Sequence, residues 1–143
     1  MNDTNPMVCV GTTDLAGLVR GKAFPVSEWH KRSQKGVGWT PTNVQITCFS
    51  VIADTPFGAL GDLVLIPDPD TRFQIDVAGD RPALDFALGD ILTLEGDPWE
   101  FCTRSLARRA LDELRSLSGL NLLGAFEHEF QLPDVAARPG DSG

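Results

Sequence analysis

The chain has 143 residues, 42% of them hydrophobic and 8% aromatic, and a formal net charge of −8. That length and apolar content can bury one core, or one and part of another, and they exclude a disordered tail. Twenty acidic residues against twelve basic ones repel nucleic acid and anionic membrane alike, so small molecules or cations are the favoured ligands.

The N-terminal stretch MNDTNPMVCV has no basic leader and no long apolar run, and no segment approaches the roughly 20 apolar residues that cross a bilayer. Cys9, Cys48 and Cys102 are widely spaced and odd in number, with no CxxC pair. Neither a disulfide framework nor a zinc site follows, and a reducing cytoplasm is the simplest compartment.

From Val8 to Pro25 the pattern predicts a hairpin of two strands joined at Ala16 and Gly17, since small residues mark a tight reversal between β-prone runs. VSEWHKRSQKG then predicts a short helix, with Ser27 as its cap and Gly36 as its stop. Val44 to Ile52 alternates as a strand, and Thr55 to Asp62 reads as loop. Leu63 onward is a strand that ends at Pro67, because a proline cannot donate to a ladder. Ala87 to Gly96 is a further strand.

The most regular pattern lies between Thr103 and Ser118. Leu106, Ala107, Ala110, Leu111, Leu114 and Leu117 recur at three- and four-residue steps and draw one apolar stripe. The charged residues, Arg104 and Arg108 among them, fall mostly on the other side, and Gly119 suits the position after the helix. Such a stripe is expected to cover a sheet. Helix followed at once by strand marks an α/β unit, and about 40 residues are too few to bury both its faces, so this second unit is expected to be truncated.

That following strand is GAFEHEFQL, Gly124 to Leu132. In an extended segment alternate side chains share a face, so Glu127 and Glu129 are expected on one side and His128 on the other, with the two Cα atoms about 6 to 7 Å apart. Two carboxylates so placed can address one divalent ion or two neighbouring ones. They can equally be the wet face of a half-buried strand. His30 on a charged helix, Arg20 and Lys22 beside the hairpin, and Asp68 and Asp70 in PDPDT read as solvated or turn residues. Trp29, Trp39 and Trp99 read as core or interface.

Four segments, DLAGLVRGK, GDLVLIPDPDT, FCTRSLARRALDEL and GAFEHEF, occur in this order from about Asp14 to Leu132. Together they resemble the N-terminal part of the glutamine synthetase superfamily. The resemblance implies an α+β fold: a β-grasp domain over residues 1–99, then the first helix and strand of a truncated α/β catalytic domain over residues 100–143. It implies an ATP-dependent ligase that joins the γ-carboxylate of glutamate to ammonia or an amine through γ-glutamyl phosphate, in a homo-oligomeric ring with active sites between subunits. Glu127 and Glu129 would be ligands to Mg²⁺ or Mn²⁺, with ATP as co-substrate, and the chain alone would be inactive. One departure bears on the nitrogen donor. Ammonia-using members carry an acidic D-G-S-S type segment where this chain has GVGWTPTN, Gly36 to Asn43, which inclines the reading towards a larger amine. The contrasting expectation, from a different functional class, is a free-standing β-grasp module that binds a protein partner.

Overall fold

The computed structural model describes residues 6–76, 83–127 and 129. Strand β1 (Met7–Thr13) and strand β2 (Val19–Pro25) form the expected antiparallel hairpin, with Cys9 opposite Ala23 and Thr12 opposite Arg20. A 3₁₀ turn at Val26–Glu28 leads into helix α1 (Trp29–Lys35). Ser27 lies inside that turn and does not cap α1. Strand β3 (Val37–Trp39) follows directly, then a single helical turn, α2 (Thr42–Gln45). After a long loop come β4 (Leu63–Pro67), a 3₁₀ turn at Pro69–Thr71, β5 (Phe73–Ile75) and β6 (Leu84–Leu92). Helix α3 (Thr103–Ser118) comes last.

The described strands form one six-stranded sheet in the order β2-β1-β6-β4-β3, with β5 also on β6. All pairs are antiparallel except β1 with β6. A parallel pair cannot be joined by a tight turn; here the connection runs from β2 through α1 to β5. Parallel pairing of the first hairpin strand with the last strand, and α1 packed on the same sheet, give the β-grasp arrangement. The sheet curls nearly into a barrel, and the Lys22 ammonium on β2 donates to the Gly38 carbonyl on β3 across 2.5 Å, tying the two outermost strands together.

Strand alternation builds the core. Val8 and Val10 of β1, Leu63 and Leu65 of β4 and Ile91 of β6 point inward. Phe24, Val37, Trp39, Val44, Trp99 and Cys102 complete the cluster, with Trp29, Phe57 and Phe101 against its rim. Each large apolar side chain so buried contributes about 1.5–3 kcal/mol against chain entropy.

The segment from Val44 to Ile52 departs from expectation. It begins as α2 and makes only an isolated bridge between Ile46 and Ile52. The Thr47 hydroxyl accepts from the amides of Phe49 and Val51 at 3.3 Å each, and Ser50 takes a positive φ of 59°. Side chain to backbone bonds of this kind compete with a ladder and fold the chain back on itself. The strand expected from Ala87 in fact starts at Leu84 and stops at Leu92, where Thr93 to Asp97 forms a closed turn.

Candidate functional site

The carboxylates singled out from the sequence lie beyond α3, so the route to them starts at the seating of that helix. Its first turn is fixed to the sheet. Buried Cys102 accepts from the Ile91 amide through Sγ at 3.3 Å, and its own amide donates to the Trp99 carbonyl. The hydroxyls of Thr13 on β1 and Thr103 on α3 lie 2.9 Å apart in a hydrogen bond.

At the next residue and again one turn on, the contact becomes ionic. Arg104 Nη2 donates to Asp68 Oδ2 at 2.8 Å, Arg108 Nη2 to the same oxygen at 3.1 Å, and Arg108 Nη1 to Asp90 Oδ2 at 2.6 Å. The hydrogen bond from Arg104, only partly opposed by burial, holds the Asp68 carboxyl below its ordinary range. The Asp90 bond raises Arg108.

This seating corrects the expected role of the apolar stripe. Ser105 is the one helix residue counted as buried among those described, whereas Leu106 is 57% and Leu117 79% exposed. Two of the helix arginines, Arg104 and Arg108, reach Asp68 and Asp90 instead. After Gly119 the chain runs on with Leu120, Leu122, Leu123 and Phe126 exposed.

Glu127 and Glu129 are both exposed, and neither forms an ion pair among the described residues. His128 lies outside the described residues. The strand expected at this point is not formed over Asn121–Glu127 or at Glu129. A strand needs a neighbour for its amides and carbonyls, and none of the described strands runs beside this one. The donor set still fits a hard divalent ion, since free carboxylate oxygens are what Mg²⁺ and Mn²⁺ prefer. Among the described residues no group of three His, Cys, Asp or Glu side chains converges on one point, so these two cannot fill a coordination sphere alone.

The other candidates have structural positions. Arg20 pairs with buried Asp14 at 2.8 Å, and Lys22 ties β2 to β3. His30 is exposed beside Gln34. Asp68 caps the 3₁₀ turn through the Asp70 amide at 3.2 Å, in addition to holding both arginines. Trp39 and Trp99 are core, and Trp29 lies under the Arg72 guanidinium at 4.2 Å. Sequence reasoning missed that Arg72 grips Asp85 with two bonds, at 2.8 and 2.6 Å. It also missed that Arg104 and Arg108 have acidic partners on the sheet. The acids were visible in PDPDT and in LGDIL, but their proximity to the helix was not.

The segment Gly36 to Asn43 supplies β3, with Val37 and Trp39 in the core. Just beyond it, buried Gln45 donates through Nε2 to Thr55 and to the Gly58 carbonyl. No acid stands on this segment, and its large side chains are committed to packing.

Comparison with known proteins fits this architecture. The family described as glutamine synthetase N-terminal domain matches residues 3–99. The γ-glutamylpolyamine synthetase GlnA3 of Streptomyces coelicolor is 29% identical over 138 residues, 95% of this chain and 28% of that protein. Type-1 glutamine synthetase 1 of Dictyostelium discoideum is 27% identical over 129 residues, 83% of this chain and 26% of that protein. The chain thus spans little more than a quarter of the length of these relatives. Among solved structures, a novel glutamine synthase homologue superposes with a TM-score of 0.75 at 35% identity, over 81% of this chain and 28% of that one. An ADP complex of GmaS shares the fold, with a TM-score of 0.57 at 22% identity over 77% of this chain and 23% of that one. The β-grasp sheet, the docked helix and these similarities together make the chain a member of the glutamine synthetase family, through its N-terminal domain.

Proposed function

We propose that this chain supplies the β-grasp domain and the start of the catalytic unit of an ATP-dependent ligase that joins the γ-carboxylate of glutamate to ammonia or an amine, working as a ring-shaped homo-oligomer in the cytoplasm. The observation that carries the reading is the family match over residues 3–99 on a matching fold. Glu127 and Glu129 then serve as ligands for Mg²⁺ or Mn²⁺. Such an ion neutralises phosphate oxygens during phosphoryl transfer from ATP. The chain's own contribution is to hold two carboxylates, unpaired among the described residues, open to solvent just past α3. Residues 1–99 form one unit in this reading and residues 100–143 open the next.

The amine-using branch is favoured over ammonia. A small cation is held best by an acid, and the segment Gly36 to Asn43 carries none. The similarity to a γ-glutamylpolyamine synthetase supports the same branch.

A manganese titration followed by electron paramagnetic resonance tests the metal assignment. Glu127→Gln combined with Glu129→Gln is expected to weaken Mn²⁺ binding at least about tenfold, as loss of carboxylate ligands should. Equal binding by parent and variant would show that the ion sits elsewhere. The purified chain alone is expected to release no phosphate from ATP, because two ligands are too few to organise the ion and its phosphates.

A further inference from the structure

We propose that Asp68, Asp90, Arg104 and Arg108 form an ionic clasp that holds α3 on the sheet and fixes which of its sides faces outward. The inference is independent of the enzymatic reading. Helix α3 has a strong apolar stripe, and burial of that stripe would ordinarily decide how such a helix docks. Here the stripe is exposed, and the helix meets acidic partners through Arg104 and Arg108.

Beside the Thr13–Thr103 hydrogen bond, the side-chain hydrogen bonds from the helix to this face among the described residues come from the two arginines. Two carboxylates face two guanidiniums, so the group is neutral as a whole. The pattern is interlocked: Asp68 serves both arginines and Arg108 serves both aspartates, while Arg104 Nε lies 3.6 Å from Asp90 Oδ1. Planar guanidinium forks hold carboxylates in a fixed direction, which a lysine could not do. The partners come from distant parts of the chain: Asp68 directly follows β4 and Asp90 lies within β6. A rotation of α3 by even a quarter turn breaks every bond in the set.

An isolated helix of this length is marginal in water, so a helix released from the clasp frays and its amides exchange. Hydrogen exchange read by mass spectrometry on the whole chain tests this. With Arg104→Gln and Arg108→Gln together, peptides covering α3 are expected to exchange at least about tenfold faster while those from β1, β4 and β6 are unchanged. Arg109→Gln, which removes only a bond to the Glu100 carbonyl, should leave α3 protected. Unchanged α3 protection in the double variant overturns the proposal. Should the double variant lose protection in the sheet as well, the parent chain decides: 1 M NaCl against low salt is expected to speed exchange in α3 alone, and equal rates at both salts overturn the clasp.

Discussion

Asp14 shows how much one side chain can specify. It is 2% exposed, and its Oδ1 accepts from the amides of Ala16 and Leu18 at 3.0 and 2.8 Å while Oδ2 accepts from Arg20 Nε at 2.8 Å. The first turn of the sheet is folded around that carboxylate. Asp14→Ala removes two oxygens that accept three hydrogen bonds and leaves a guanidinium unpaired, so a loss of about 3 kcal/mol is expected in urea unfolding; a loss below about 1 kcal/mol would mean the turn holds itself. Two glycines give a second test at this scale. Gly36 and Gly119 have nearly the same φ, 67° and 70°, but an added Cβ at Gly36 meets Val64 Cγ1 at 2.3 Å and the Leu65 carbonyl at 2.7 Å, whereas at Gly119 it meets nothing. Gly119→Ala should cost about 1 kcal/mol, the left-handed penalty alone. Gly36→Ala should cost at least about 3 kcal/mol, because strain and clash add. Equal thermal shifts in the two variants would contradict the stated contact.

Among the elements, α3 was the most legible and its docking the least. Its limits, Thr103 to Ser118, follow from the periodic leucines and from Gly119, yet periodicity defines two faces without saying which one meets the sheet. The exposed stripe, with Leu120, Leu122, Leu123 and Phe126 exposed beyond it, is the kind of apolar surface that favours association. Concentration-dependent self-association is therefore expected in sedimentation velocity. Leu106→Lys with Leu117→Lys should suppress it with stability changed by no more than about 0.5 kcal/mol, as at other exposed sites. Undiminished association would place the sticky surface elsewhere. Strands β3 and β5 escaped the sequence reading because three residues are too few to show alternation. The expected strand from Val44 was lost to hydroxyl-to-amide bonds of Thr47.

For the molecule as a whole, ionic pairing sets the response to acid. Asp85 is held below the ordinary carboxylate range by its Arg72 bond, which outweighs burial, with help from Gln74. In Asp14 burial pushes upward, but the Arg20 bond and the Leu18 and Ala16 amides together outweigh it and the carboxyl ends lower. Asp68 is lowered by Arg104. A carboxyl whose folded pKa is depressed adds stability that is complete above its unfolded value, about 3.9, and is lost as pH falls through the folded value. Stability should thus be flat down to about pH 5 with respect to these groups and fall steeply below about pH 4. A chain as stable at pH 3 as at pH 6 would show that these pairs contribute nothing.

The sequence by itself determined the hairpin, the α1 and α3 helices, the β4 strand and the family, because these rest on local periodicity, turn chemistry and ordered motifs. It also named Glu127 and Glu129 as carboxylates two residues apart. Tertiary structure alone decided that Arg104 and Arg108 of α3 meet Asp68 and Asp90, since Asp68 lies 36 positions before Arg104 and no local pattern records that distance. It alone decided the parallel pairing of β1 with β6 and the Lys22 tie between the outer strands. Long-range contacts depend on how distant segments are brought together, and a chain written in order does not display that.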